Sequence, residues 1–402
     1  MKRTERARRI RWWQVALLLA GLGMVAAACG DSGSDGDTAA PPTTAATTTE
    51  GGSATTAAPT SEATTTTTEA TTTTEAAPDF GLADFNGDGK VVIGVAVPGP
   101  RDDGAYYQAL VNKVEQISAD NGYEKPIIVD NIDSADAAAE LTNLAEQGVD
   151  IIALGASEIA DPLADVSAEF PDIFWYCNCG AGYPEGDTYA QSQDDGSEIS
   201  YSAGAATGIL LADRGGDSTV FIGCCDLGFE KESYMAFELG LQSIDPSFTM
   251  TYVPVGNFPF DFDNTAGATE AFNTAVADGV DAVYPFLGGA HEPVVKLANE
   301  NDVIVMSAGA SDVCERTDLN WDIAVRFDAG DYLDTIFKEI LSGDFTEGSI
   351  RVFHVGVDPE PGAVICDATP EQQAALDEVY AKIASGDLND AFFAIKKEAY
   401  GF

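Results

Sequence analysis

The sequence has few basic side chains and few groups suited to catalysis. Its 402 residues contain 20 Lys and Arg against 66 Asp and Glu, so the formal net charge is −46. A surface of this sign repels phosphate backbones, which excludes nucleic-acid binding as a main activity. The only histidines are His291 and His354, and two imidazoles leave little for acid–base or zinc chemistry.

Motifs of familiar enzyme classes are also missing. The chain has no G-x-S-x-G, no H-E-x-x-H, no G-x-x-x-x-G-K-[ST] and no G-x-G-x-x-G after a strand. We therefore predict that the protein is not an enzyme and carries no cofactor. A hydrolase that uses paired carboxylates such as Asp102 and Asp103 is the least favoured alternative.

The first 28 residues have the pattern of a secretory signal peptide. Basic residues precede an apolar run that is short for a membrane span, and small residues then lead to Cys29. Small residues directly before a cysteine resemble the lipobox of bacterial lipoproteins. We predict cleavage before Cys29 and lipidation of this residue, which would anchor the protein to the cell membrane. Plain secretion, with Cys29 incidental, is the alternative.

Residues 29–80 are rich in Thr, Ala, Gly and Ser. This composition cannot bury a core, so we predict a disordered tether. The segment after it, Asp84-Phe-Asn86-Gly-Asp88-Gly89, matches the front half of a calcium loop. Position twelve of that loop would be Val95 rather than Glu, and a strand follows instead of a helix. We predict a Gly/Asp turn there and no metal site.

Beyond Cys29 the chain has an even number of cysteines, which suits an exported protein in an oxidising compartment. Disulfides are the favoured interpretation and a zinc site is the alternative. The spacing does not give the pairing, because six cysteines allow 15 connectivities. The candidate disulfide cysteines are Cys177, Cys179, Cys224, Cys225, Cys314 and Cys366.

From Val91 onward the sequence alternates between strand and helix patterns. Residues 91–97 are apolar and β-branched, which is typical of a strand buried on both faces of a parallel sheet. Two successive runs of such βα units predict an α/β protein with two Rossmann-like lobes and a cleft between them. We assign residues 90–195 plus about 326–345 to the N-terminal lobe, and residues 196–325 plus about 346–402 to the C-terminal lobe.

Ligands of parallel α/β sheets bind beyond the carboxyl ends of the strands. Aromatic and polar residues recur at the predicted strand ends, and such a set suits a flat small molecule. Tyr106 and Tyr107 could instead be ordinary helix-packing aromatics, but adjacent positions on a helix cannot both face a core. The candidate ligand-binding residues are Tyr106, Tyr107, Ser157, Asp226, Phe258, Gly288, Gly289 and Arg326.

Several short motifs recur in a characteristic order and spacing over about residues 90–395. They are IGVAV (93–97), DDGAYYQ (102–108), EQGVDIIALG (146–155), AEFPD (168–172), SAGAA (202–206), VFIGCCD (220–226), FELG (237–240), GVDAVY (279–284) and GG (288–289). Together they resemble the basic membrane protein (BMP) family of solute-binding lipoproteins, the purine-nucleoside-receptor-like group.

The resemblance implies a type I periplasmic-binding-protein fold whose members commonly deliver nucleosides to an ABC importer. It places the family's two stacking aromatics on Tyr106 and Phe258, and a basic residue on Arg326. The family's Asn beside the first stacker falls on Tyr107.

Two acidic positions of the family are not retained. The base-reading Asp falls on Val97, and the acid that holds the ribose hydroxyls falls near Gly309, with Asp312 the nearest substitute. The ring-stacking pair is thus kept, whereas the nucleoside-specific polar set is largely lost.

The function predicted from the sequence is therefore an extracytoplasmic solute-binding lipoprotein of an ABC importer. Its partners would be a small aromatic or heterocyclic solute (a nucleoside-like one is the best guess), the ABC permease subunits, and the membrane through Cys29. A ligand-sensing receptor of the same fold that signals to a membrane partner is the alternative.

Overall fold

The computed structural model describes residues 80–180, 183–258 and 260–402. The predicted signal peptide, the lipidation site Cys29 and nearly all of the predicted tether lie outside these described residues. Within them, no helix is both long enough and apolar enough to cross a bilayer.

The first lobe is built on a parallel sheet of six strands. Apolar side chains fill both faces of its central strands, which explains why these segments of the sequence are unbroken hydrophobic runs. In spatial order the strands are β11 (Ile350–Phe353), β5 (Ala190–Asp194), β4 (Phe174–Asn178), β3 (Ile151–Leu154), β1 (Ile93–Ala96) and β2 (Ile127–Val129).

Four helices cover this sheet. On one face, α1 (Tyr106–Asn121) and α8 (Ala329–Ser342) share a core that includes Leu110, Val114 and Ile336. On the other face lie α2 (Ala137–Ala145) and α3 (Leu163–Glu169). The sheet is thus enclosed on both sides, as parallel sheets require.

The second lobe has a parallel sheet of four strands with helices on both faces, together with an antiparallel pair. The sheet order is β7 (Thr249–Pro254), β6 (Ser218–Gly223), β8 (Ala282–Pro285) and β9 (Ile304–Val305), and the pair is β10 (Ile323–Arg326) with β12 (Gly362–Ile365). The helices are α4 (Gly196–Arg214), α5 (Gly228–Ile244), α6 (Thr265–Ala277), α7 (His291–Asn301), α9 (Pro370–Ala384) and α10 (Asn389–Tyr400).

Helices α4 and α5 pack with their backbones in close contact. A Cβ atom on Gly204 would collide with the carbonyl of Phe237, and one on Gly240 would collide with the carbonyl of Tyr201. Only glycine fits at either crossing point. This contact fixes the two helices against each other, and their first turns contribute to the lining of the cavity described below.

The chain passes between the lobes after β5, after β10 and after β11. The last crossing differs from the boundary predicted from the sequence, which placed residues 346–402 in the C-terminal lobe. Strand β11 pairs with β5 of the first lobe, with Ile350 opposite Gln191. Only after this strand does the chain return to the second lobe.

All six candidate cysteines form disulfides: Cys177–Cys179, Cys224–Cys225 and Cys314–Cys366. Disulfides, rather than the zinc alternative, therefore describe these residues.

At the start of the first lobe, Asp84 accepts hydrogen bonds from the amides of Asp88 and Gly89 at 3.0 Å. This carboxylate holds a turn, as predicted for the Gly/Asp segment.

Candidate functional site

A cavity of about 210 Å3 lies where strands of both sheets end, and we refer to it as the interlobe cavity. Its lining comes from the turns that follow β1, β3, β4, β5, β8 and β10 and from the first turns of α4 and α5. This is the position at which parallel α/β sheets bind their ligands. Asp194 and Phe327 also contribute to the lining. They lie where the chain passes between the lobes, after β5 and after β10.

Seven of the side chains that line the interlobe cavity are aromatic. Phe286 and Phe327 stack with ring centroids 5.7 Å apart, and Tyr106 lies 6.5 Å from Phe327. Phe229 and Phe262 stack at 6.3 Å. The remaining two are Tyr107 and Tyr400. Such walls offer flat apolar surfaces for a ring-bearing or cationic guest.

Tyr106 and Tyr107 both reach the cavity from the first turn of α1. Their rings meet edge to face at 5.7 Å, and the Tyr106 hydroxyl donates to the carbonyl of Asn178 at 3.2 Å. The Tyr107 ring lies over Gly99, where a Cβ atom would collide with it. The two tyrosines also contact the core of the first lobe, so the two interpretations of these residues are compatible.

Four carboxyl side chains line the cavity, but two are held by structural partners. Asp103 accepts hydrogen bonds from the amides of Ala105 at 2.9 Å and Gln108 at 3.0 Å, and so caps α1. Glu232 accepts from the hydroxyls of Ser197 at 2.6 Å and Tyr400 at 2.8 Å. Asp103 therefore positions Tyr106 and Tyr107 by fixing the start of their helix.

The capping role of Asp103 also bears on the hydrolase alternative. Burial raises the pKa of Asp103, against the three backbone amides that favour its charged form. Its neighbour Asp102 is exposed on the surface and does not line the cavity. The two carboxyls thus have different surroundings and do not form a catalytic pair.

The other two carboxyls, Glu158 and Asp194, have few partners. Burial raises the pKa of Asp194 to about 7, although the Tyr332 hydroxyl donates to its Oδ2 at 3.0 Å. Burial likewise raises the pKa of Glu158, whose Oε1 accepts from Tyr107 at 3.4 Å. Its Oε2 is buried and has no hydrogen-bond partner among the described residues.

Four of the eight residues predicted from the sequence line the interlobe cavity: Tyr106, Tyr107, Ser157 and Gly288. The other four lie outside its lining, and each has a structural reason. Phe258 is 78% exposed in the loop after β7, so the second stacking position inferred from the family resemblance does not face the cavity. Phe262, four residues later, does.

The remaining three predicted residues are engaged elsewhere. Asp226 has a left-handed backbone, with φ of 55°, and its amide donates to the Tyr252 hydroxyl. The Gly289 amide donates to Asp263 at 2.6 Å, and the Arg326 guanidinium contacts the carbonyl of Gly362 at 3.4 Å. Gly309 likewise has a positive φ, of 68°, and Asp312 is exposed outside the cavity lining.

Sequence reasoning missed several lining residues. Phe286 and Phe327 end the strands that the sequence pattern predicts over residues 281–286 and 322–327. The rule that selected the other candidates could therefore have found them. Asp194 and Tyr400 could not be found in this way, because β5 and α10 were not predicted. Strand β5 reads Ala-Gln-Ser-Gln-Asp and lacks the hydrophobic pattern of a strand.

One group of side chains could in principle hold a metal ion. Asp195, Glu198 and His354 bring one possible ligand atom each to within 4.8 Å of one another. The Lys396 ammonium already donates to Asp195 at 2.5 Å, and the Val355 amide donates to Glu198 at 2.9 Å. These contacts explain the cluster as a structural network next to the cavity.

Comparison with known proteins gives a family and a fold. A family model described as "ABC transporter substrate-binding protein PnrA-like" (Bmp) matches residues 90–355. None of the curated proteins matches the chain. Many solved structures do.

Two of these structures are solute-binding proteins of ABC transporter systems. One is from Conexibacter woesei, with 19% identity, a TM-score of 0.57, and coverage of 74% of this chain and 97% of that one. The other, from Aeropyrum pernix, has 16% identity and a TM-score of 0.55, and covers 77% and 92%. A transcriptional activator of the comK gene from Bacillus halodurans has 16% identity and a TM-score of 0.57, and covers 73% and 98%. At these identities the likeness shows the shared type I periplasmic-binding-protein fold.

Proposed function

We propose a solute class, a binding site and a location for this chain, which belongs to the Bmp family of PnrA-like ABC transporter substrate-binding proteins. Proteins of this family bind solutes for transport and are not enzymes. Our proposal is that the interlobe cavity binds a small aromatic or heterocyclic solute and that the loaded protein presents it to an ABC permease.

The observation that carries the proposal is the set of aromatic rings around the cavity. The stacked pair Phe286 and Phe327, with Tyr106 beside it, supplies ring faces next to the strand ends of both lobes. Stacking on such faces is worth about 1–3 kcal/mol per ring. The volume of about 210 Å3 is below that of typical drug-sized sites, roughly 300–1,000 Å3, so a small solute is favoured.

The two-lobe lining supports a role in delivery. A solute in contact with Tyr106 of the first lobe and Phe286 of the second is held by both. Binding then favours lobe closure, which excludes water and strengthens polar contacts. A permease that engages only the closed arrangement would discriminate loaded from empty protein by shape.

Polar groups would orient the solute between the rings. The side-chain amide nitrogen of Asn178, Nδ2, lies buried at the end of β4 and has no hydrogen-bond partner among the described residues. A buried donor without a partner costs about 1–3 kcal/mol, and a solute acceptor would recover that free energy. Ser157 and Gly288 lie on the same lining.

The location part of the proposal is a lipid anchor at Cys29, with residues 29–80 as the tether to the globular body. It is supported by the lipobox-like sequence. Replacing Cys29 with Ser in the full-length chain should move the protein from the membrane fraction to the soluble fraction of the producing bacterium. If the variant stays with the membrane to the same extent as the unchanged chain, the anchor is not at Cys29.

The binding site is tested with a matched pair of substitutions, Phe286→Ala and Phe258→Ala. Native mass spectrometry against a library of small ring compounds, with adenosine and guanosine included, identifies a binder, and calorimetry then measures its affinity. We expect Phe286→Ala, and likewise Tyr106→Ala, to cost about 1–3 kcal/mol of binding free energy, as for single stacking contacts. Phe258→Ala should leave the affinity unchanged because that ring is exposed to solvent.

The same assay tests the nucleoside. If adenosine or guanosine is the tightest binder, the solute is a nucleoside even though Val97 and Gly309 stand at the family's acidic positions. An equal loss in the Phe258 and Phe286 variants would contradict the assignment of the site to the interlobe cavity.

A further inference from the structure

The lining of the interlobe cavity is charged with one sign only. Glu158 and Asp194 contribute carboxyls to it in addition to the structural Asp103 and Glu232. Among the described residues that form the lining, none is Lys, Arg or His. A binding site of this kind favours positive guests and opposes negative ones.

Glu158 is the first carboxyl without a countercharge. It takes no part in any ion pair within the described chain, and its Oε1 accepts a hydrogen bond from the neutral Tyr107 hydroxyl. Its second oxygen, Oε2, is buried without a partner. A buried carboxylate oxygen needs a donor, and a cationic donor gives the strongest hydrogen bond.

Asp194 is the second carboxyl without a countercharge. It lies at the crossing from β5 to α4, its Oδ2 accepts from the Tyr332 hydroxyl, and no ion pair within the described residues includes it. Tyr106 lies within electrostatic reach of both Asp194 and Glu158, since both carboxyls act with burial to raise the pKa of its hydroxyl. Both acids thus act electrostatically on the same aromatic residue of the lining.

Glu232 provides an internal comparison. Its carboxylate accepts from Ser197 and Tyr400 and lies 4.0 Å from the Lys396 ammonium. The fold therefore supplies a basic partner to one acid beside the cavity but none to Glu158 or Asp194. Burial raises the pKa of both carboxyls and favours their neutral forms. A cationic guest would supply the countercharge that the described chain does not.

The aromatic walls suit the same guest. Faces of Phe and Tyr rings attract a cation electrostatically by about 0.5–2 kcal/mol each, and more when the site is desolvated. Aromatic cages of this type recognise ammonium groups, whereas neutral rings gain only the stacking contribution.

On the basis of the proposed function, we infer that the solute is a small organic cation. Its ammonium or guanidinium group pairs with Glu158, and Asp194 is the second acid that favours a positive charge in the cavity. The apolar body of the solute contacts the Tyr106, Phe286 and Phe327 rings. A neutral nucleoside could donate hydrogen bonds to these carboxyls but would leave them without a countercharge, and an anion would be repelled by them.

The experiment uses a charge-balanced library with equal numbers of cationic, neutral and anionic small molecules, screened by thermal shift on dialysed protein. It includes shape-matched pairs: benzamidine with benzamide, and choline with its uncharged tert-butyl analogue. We expect the binders to be cations and the uncharged member of a binding pair to be at least about 10-fold weaker, because it loses the electrostatic attraction to the carboxyls and the aromatic rings.

Three isosteric variants locate the charge recognition. Glu158→Gln and Asp194→Asn should each weaken the best cation by about 10- to 100-fold. Glu378→Gln, which removes an exposed carboxyl on α9, is the control and should bind as the unchanged protein does. Circular dichroism verifies that each variant is folded.

The outcomes separate this inference from the proposed function. The inference that the solute is a cation would be overturned by neutral or anionic binders whose affinity is unchanged in Glu158→Gln and Asp194→Asn. Solute binding itself would still be supported. Equal affinities within the shape-matched pairs would overturn the inference in the same way. A library that gives no thermal shift in any charge class would contradict the proposed function, and the cation with it.

Discussion

Replacing Asp194 with asparagine should stabilise the ligand-free protein at neutral pH, although the residue belongs to the proposed binding site. The cause is burial of the carboxyl at the crossing after β5, which raises its pKa from an ordinary value of 3.8 to about 7. Asparagine has nearly the same shape and keeps an oxygen that can accept from the Tyr332 hydroxyl. Only the ionisable group is lost.

The sign follows from proton binding. Between about pH 4 and pH 7 the folded protein keeps the Asp194 proton while the unfolded chain has released it, so the folded state binds more protons. The free energy of unfolding therefore falls as the pH rises through that window and is constant above it. Acidification restores the lost stability.

The magnitude follows from the size of the shift. A difference of about three pKa units corresponds to about 4 kcal/mol for a fully buried group. Asp194 is only half-buried, and solvent screening reduces this to about 2 kcal/mol. For a protein of this size, a change of 1 kcal/mol shifts the melting temperature by roughly 2–4 °C or less. The expected increase is therefore a few degrees.

The assay is thermal unfolding of dialysed protein, followed by circular dichroism at a series of pH values from 4 to 8. The difference in melting temperature between Asp194→Asn and the unchanged protein should grow up to about pH 7 and then level off. Glu378→Gln is the control for general charge repulsion in this acidic protein. Parallel curves for Asp194→Asn and the unchanged protein across the window would refute the reasoning.

Three further predictions concern stability. Gly240→Ala should lower the free energy of unfolding by about 1–3 kcal/mol in denaturant titration, because the added Cβ meets the Tyr201 carbonyl; an unchanged midpoint would contradict the close helix contact. Replacing Cys314 and Cys366 with serine opens a loop of 52 residues and should cost about 4 kcal/mol, and a reducing agent should then have less effect on the variant than on the unchanged protein. Burial lowers the pKa of His291 to about 4, so stability should fall as the pH drops from about 6.5 towards 4, and His291→Phe should remove that part of the fall in a pH series of melting temperatures.

The elements with strong hydrophobic patterns were predictable. The strand predicted over residues 91–97 corresponds to β1 (Ile93–Ala96), and the helix predicted after it corresponds to α1 (Tyr106–Asn121). Strand β5 was missed because it lacks that pattern. Strand β5 is buried through small and polar side chains such as Ser192, whose hydroxyl pairs with that of Tyr176 at 2.6 Å.

The candidate site was predictable only in part, for a related reason. Tyr106, Tyr107, Ser157 and Gly288 follow strands that the sequence identifies, and they line the cavity. Phe258 and Phe262 lie four residues apart in one loop, and the sequence treats them alike. The path of the loop decides that Phe262 lines the cavity while Phe258 is exposed.

The sequence by itself determined the alternating βα order, the two-lobe fold class and the absence of catalytic motifs, because these depend on local hydrophobic periodicity and on short motifs. Only the tertiary structure decided which side chains share the interlobe cavity. Glu158 and Asp194 are separated along the chain, and both line the cavity because parallel strands end at a common edge. Whether a carboxylate has a basic partner is likewise a property of three-dimensional distance, as Lys396 beside Glu232 shows.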